Sequence, residues 1–198
     1  MSDTDWNEAA ARLGRAEGLK VDQFELRPPV GDDDLEVVRM LEKTTPPPPM
    51  LQFYRAHNGL RLLWSGTLGG KAVQGSVNIV PLLESSLRAP AEEEGEPLEG
   101  VLWNEEMPAR ALAILKRMAV FESIAGRSDY LTYFADETDA RLFLVENDRV
   151  RPLVPDFDAA IDVLRQYAGA DGVREHMTHA DWRKRLHADA LLQRIARL

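Results

Sequence analysis

No cysteine occurs among the 198 residues, which excludes thiol catalysis, cysteine-ligated zinc, iron–sulfur clusters and any disulfide framework, and fits a reducing compartment. Histidine is scarce, with four copies, so few general bases are at hand for a nucleophile. Uninterrupted apolar runs reach a few residues, where roughly 20 are needed for a helix to span a bilayer. The opening residues Met1 to Trp6 carry Asp3 and Asp5 where a secretory signal would place bases and then an apolar run. The expectation is a soluble, cytoplasmic protein. Bases are also short of acids, 24 against 33, for a formal charge of −9, which disfavours wholesale binding to nucleic acid or an anionic membrane. What is present suffices for a core: 44% of the residues are hydrophobic, and a chain of this length buries roughly two thirds of its unfolded surface without help from a metal. With no repeat at solenoid periods, residues 1–198 read as a single domain.

Hydrophobic spacing outlines the elements. Trp6, Ala9, Ala10 and Leu13 form one stripe of a leading helix, with Asp5 as N-cap and Gly18 as stop. Leu35, Val38 and Leu41 mark a second helix, ended by Pro46 to Pro49. The last of these prolines opens a short third helix, Met50 to His57, with Asn58-Gly59 as its exit. Leu60–Trp64 and Ser76–Val80 alternate as strands, and Pro81–Leu87 reads as a brief helical turn. A helix from Glu105 to Met118 is followed by strands at Ala119–Ile124, Tyr130–Phe134, Arg141–Val145 and Val150–Val154. The strongest helical pattern is Asp156 to Ala168, with Phe157, Ala160, Ile161 and Leu164 on one face. The tail from His179 to Leu198 is helix-forming, but its stripe drifts near Ala188, so it breaks there or is covered on two sides.

Motifs that would carry chemistry are incomplete. Gly66-Thr67-Leu68-Gly69-Gly70-Lys71-Ala72 is one spacer short of a phosphate loop and ends in alanine instead of a hydroxyl residue, which favours a hairpin connection. The GxSxG elbow is absent, and Ser123 and Ser128 sit in no nucleophile motif. His176 and His179, with Glu175 and Asp181 nearby, have a spacing that could meet a metal on a helix, but lack the HExxH order and a third ligand. His57 fits packing or capping better than proton transfer. No catalytic residue, metal ligand or cofactor is assigned; an uncharacterised hydrolase or metal-dependent enzyme using His57, His176 or His179 stays as an alternative.

Charge is unevenly spread. Glu92, Glu93, Glu94, Glu96, Glu99, Glu105 and Glu106 follow one another with no base between Arg88 and Arg110. They read either as a solvated loop or as a surface that steers a basic partner, with Trp103 as an aromatic anchor. Residues 173–198, read as a C-terminal basic helix, hold six bases against three acids; that local +3 leaves −12 on the rest of the chain.

The ordered segments Pro49-Met50-Leu51-Gln52-Phe53-Tyr54-Arg55-Ala56-His57-Asn58-Gly59-Leu60 and Val77-Asn78-Ile79-Val80-Pro81-Leu82-Leu83-Glu84, with the closing helix at Phe157, Ile161 and Leu164, resemble the SUKH superfamily, the Smi/Knr-like domain. The resemblance spans 35–168 and departs from the family at Pro48, where an apolar residue is usual, and in the acidic insert with its helix at 90–118. It implies an α+β fold, a mixed, largely antiparallel sheet packed by helices, here with extra N- and C-terminal helices. It further implies a non-catalytic protein-interaction module: bacterial members are often immunity proteins that neutralise toxins, many of them nucleases or deaminases, and fungal members are signalling scaffolds. The expected partner is a basic toxin, bound through Glu92 to Glu106 with no direct nucleic-acid contact; the alternative is a regulatory scaffold that forms homo-oligomers through its leading and trailing helices.

Overall fold

The computed structural model describes residues 3–42, 46–87, 109–115, 117–125, 129–146 and 149–198. In chain order the elements are α1 (Asp3–Arg15), β1 (Leu19–Leu26), α2 (Asp32–Glu42), α3 (Pro48–Ala56), β2 (Leu60–Leu68), β3 (Lys71–Ile79), α4 (Leu82–Leu87), α5 (Ala109–Leu115), β4 (Met118–Ser123), β5 (Tyr130–Phe134), β6 (Phe143–Glu146), β7 (Arg149–Pro152), α6 (Phe157–Gln166), α7 (Val173–Met177), α8 (Trp182–Ala188) and α9 (Ala190–Ala196). Among the described residues seven strands make one sheet in the order of the sequence, and their pairings are antiparallel. The fold is α+β. No helix among the described residues is long and apolar enough to cross a membrane.

Local chemistry explains the boundaries. Pro48 and Pro49 occupy the first turn of α3, where a fixed φ and a missing N–H cost little; the helix opens one proline earlier than the spacing predicts. Asp156 caps α6 by accepting from the Ala159 amide at 2.9 Å. β2 and β3 are joined by Gly69 and Gly70 at φ +61° and +78°, the double left-handed geometry of a type I′ hairpin. Asp5 lies inside α1 instead of capping it.

Two expectations need correction, and one strand has no counterpart in the spacing. β1 follows α1 directly at Leu19–Leu26; its apolar residues fall at 19 and 21, then at 24 and 26, and a bulge between Val21 and Gln23 accounts for the slip. Met118 opens β4 and does not continue the preceding helix, because α5 ends at Leu115. The C-terminal basic segment is three short helices instead of one; the break anticipated near Ala188 falls at Asp189, whose carboxylate caps α9 through the Leu191 and Leu192 amides.

The main core lies between one face of the sheet and the helices α1, α2, α3, α4, α6, α7, α8 and α9, and includes Trp6, Leu35, Trp64, Leu82, Ile161, Trp182 and Leu192. At its centre Phe53, Tyr54, Phe121 and Phe157 meet edge to face, with Phe121 5.3 Å from Phe157 and 5.7 Å from Phe53. Alternate residues of β4 enter two different cores. Ala119 and Phe121 join the main one, while Met118 and Val120 join a smaller cluster with Leu115 of α5 and Val145. β4 is thus buried on both faces, which explains its nearly unbroken apolar run.

β2 and β3 stay paired from Leu60↔Ile79 to Leu68↔Lys71. β3 and β4 share a single register position, Ile79↔Glu122. The free edge of β3 is completed by other groups in succession. Val80 donates its amide to Phe121 O, Asn78 donates to the Glu122 carboxylate at 3.3 Å, the Ser76 carbonyl accepts from Arg174, and the Ser76 amide donates to Gly169 O. Asp171 then donates its amide to Gln74 O, and the Trp64 indole donates to Ala168 O at 2.7 Å. The loop between α6 and α7 thus takes the place of a strand.

Candidate interaction surface

The predicted partner-binding residues Glu92, Glu93, Glu94, Glu96, Glu99, Trp103, Glu105 and Glu106 lie outside the described residues. The described elements that flank them in sequence are α4, ending at Leu87, and α5, beginning at Ala109. α4 packs against α2. Along α2, Leu35 and Val38 are buried, and Val37 and Met40 face outward. Asp32, Asp33, Asp34 and Glu36 are exposed on the same helix, as is Glu84 on α4. Arg39 reaches Glu36 at 3.6 Å and Arg27 reaches Glu84 at 3.8 Å; all four side chains are exposed, so water screens these pairs.

Asn58, Gly59 and Tyr54 act together next to this face. Asn58 Oδ1 accepts from the Leu82 amide at 2.9 Å, closing the first turn of α4, and the Tyr54 hydroxyl donates to Val80 O at 3.2 Å. Gly59 has φ +103°, and a Cβ there would stand 2.9 Å from Ile79 O and 3.2 Å from Pro81 N; only glycine fits. The helix exit Asn58-Gly59 and the strand exit Val80-Pro81-Leu82 are therefore two sides of one joint. Burial pushes the Tyr54 phenol well above its usual range, so this group is a fixed donor to the joint.

The basic C-terminal region presents a smaller charge than its composition suggests. Arg174 is buried, donating Nε to Glu122 Oε2 at 2.8 Å and Nη2 to Oε1 at 2.5 Å. Arg174 is one of the six bases counted in this segment; its partner lies far off in the chain and no local signal connects them. Of the others, Arg185 binds Asp181 at 2.7 Å, and its hydrogen bond holds that carboxyl below its ordinary value. Arg183 stacks over the Trp182 ring at 4.2 Å, and the Arg194 guanidinium lies against Gly69 in the hairpin turn.

The histidines are dispersed. His57 is buried with its ring edge-on to Phe53 at 6.0 Å, a packing position. His176 Nε2 lies 3.5 Å from Asp189 Oδ2, and α7 stops at Met177, so His179 falls beyond the helix. Among the described residues no group of three or more His, Asp or Glu side chains could hold a metal ion. A shallow cleft of about 460 Å³ opens at the start of α6, lined by Pro49, Arg141, Val154, Phe157 and three aspartates, Asp139, Asp156 and Asp158. Asp156 is already engaged as the cap of its own helix.

The outward Val37 and Met40 are the surface feature that the sequence reading missed. The signal was available, since two apolar side chains three apart interrupt the polar face of a helix whose inward stripe is already complete. A scan against protein-family models matches none, and a search of curated proteins returns no match.

Proposed function

We propose that this chain is a non-catalytic, SUKH-like protein-interaction module of the toxin-immunity type, acting in the cytoplasm and occluding a basic partner such as a nuclease or deaminase toxin. The observation that carries this reading is the joint at Asn58, Gly59 and Leu82. The two segments on which the resemblance rests are separated in sequence, yet they meet there through a side-chain cap and a close glycine contact, so the resemblance follows one structural unit instead of scattered matches. The order α3, β2, β3, α4, an antiparallel sheet and the closing helix α6 supports it further. Charge supports the partner class: a domain of −9 with seven glutamates in one stretch steers toward a protein whose own groove is positive because it binds nucleic acid.

Affinity capture with the full chain as bait, eluted by a salt step and identified by mass spectrometry, tests the reading. One stoichiometric basic protein released by salt is the expected result. Reversal of Glu92, Glu93, Glu94 and Glu96 to lysine should then slow its association and flatten the salt dependence. Recovery of the chain alone, or of several proteins held through the salt step, favours the scaffold role; unchanged affinity after reversal removes the acidic segment from the interface.

A further inference from the structure

We propose that the outward face of α2 and α4 is the apolar anchor of the interface, built to receive a basic amphipathic helix of the partner. The inference rests on the protein-binding reading above and assigns it a second surface, made of described residues. Among those residues four large hydrophobic side chains are exposed, and three of them, Val37 at 38%, Met40 at 66% and Leu83 at 37%, lie on these two mutually packed helices. Isolated exposed hydrophobics are ordinary on protein surfaces, but a group on adjoining elements marks a contact site.

α2 makes the point most directly. Its inward stripe, Leu35 and Val38, already joins the main core, so a helix that packs on one side only has no structural need for Val37 and Met40 on the other. Acids share the same two helices: Asp32, Asp33, Asp34 and Glu36 on α2 and Glu84 on α4 are exposed, against Arg39 and Arg27. An apolar centre with an acidic rim fits a helix that lays leucine-like side chains at i, i+3 and i+4 into the contact and keeps lysines or arginines at its margins. The division of labour follows. Glutamates after α4 govern how fast a basic partner arrives, and the apolar anchor governs how slowly it leaves.

The test uses two synthetic fluorescein-labelled peptides on the full chain. One has leucines at helical spacing with lysines elsewhere; the other has serine for each leucine at the same charge. Fluorescence anisotropy should give an affinity for the leucine peptide about tenfold above that for the serine peptide. In the Val37→Ser/Met40→Ser variant that ratio should fall toward one, with the salt dependence kept. Met40→Ser alone, at the most exposed of the three positions, provides a second variant whose thermal melt should match the parent. Equal affinities of the two peptides for the parent chain, binding of neither, or a ratio that survives the substitutions would each overturn the proposal. Lysine reversal at Glu92 to Glu96 separates the two claims. If it leaves both affinities unchanged, the reading of the acidic segment as a steering surface for a basic partner fails, while the peptide ratio still decides the role of α2 and α4.

Discussion

The two sides of β3 hold the sheet together by different means. Toward β2 it keeps an unbroken main-chain ladder ended by a glycine hairpin; toward β4 it keeps one paired position, and the rest of the edge is closed by a buried Glu122–Arg174 pair and the loop after α6. A ladder distributes its stability over many small hydrogen bonds, each worth about 1 kcal/mol net. An ion pair concentrates stability in two residues. Taking both charges out of water is costly, and the pair is supported by further hydrogen bonds, from Asn78 N to Glu122 and from Arg174 to Ser76 O and Gly169 O.

The largest effect should come from breaking that pair. Arg174→Met leaves a carboxylate buried without its partner and is expected to cost about 3–5 kcal/mol, measured as a lowered urea midpoint. Glu122→Leu combined with Arg174→Met should recover much of the loss, since both charges leave together, but not all of it, because the Asn78 amide and Ser76 carbonyl lose their partners. A single variant costing under about 1 kcal/mol would mean that the pair does not hold the seam.

Glycines sharpen the contrast at intermediate size. Gly169 and Gly70 both have positive φ, +61° and +78°, but a Cβ at Gly169 would overlap Ser76 O, and at Gly70 it would meet nothing within 4 Å. Gly70→Ala should cost about 1 kcal/mol from backbone strain alone. Gly169→Ala should cost about 2–3 kcal/mol, because the loop must also move off the β3 edge. Equal melting temperatures for the two variants would show that the loop is not pressed against the strand.

The smallest effect belongs to the exposed counterpart of the buried pair. Arg117 binds Asp136 at 2.7 Å at the end of the β4–β5 ladder, and its hydrogen bond lowers the Asp136 pKa from 3.8. A depressed carboxyl pKa stabilises the fold above the unfolded value and loses that contribution as pH falls through the folded one. Arg117→Gln should therefore melt slightly below the parent at pH 7, and the gap should close as pH falls below 3.8. Thermal melts across that range read the difference; a gap that widens in acid would contradict the assignment.

Elements with complete local signals were legible. α6 has its cap, its apolar stripe and its glycine stop in one stretch, and α3 has its prolines and its Asn-Gly exit. β1 was hidden because the bulge at Asp22 shifts its alternation by one residue halfway along. α7, five residues long, is too short to express a helical period. Met118 was misplaced because it stands three residues after Leu115, a helical interval, while the turn at Arg117, whose amide donates to Ile114 O, sends it into a strand.

The sequence by itself determined the hairpin turn, the proline-opened α3 and the capped α6, because each depends on side chains within a few residues of one another, and it carried the segregation of charge in its composition. Only the tertiary structure decided that Arg174 is an internal partner of Glu122 instead of a surface base, that a loop completes the edge of β3, and that Val37, Met40 and Leu83 stand on adjoining helices. Those outcomes depend on which distant groups are brought to one place and deprived of water, and neither spacing nor composition records that.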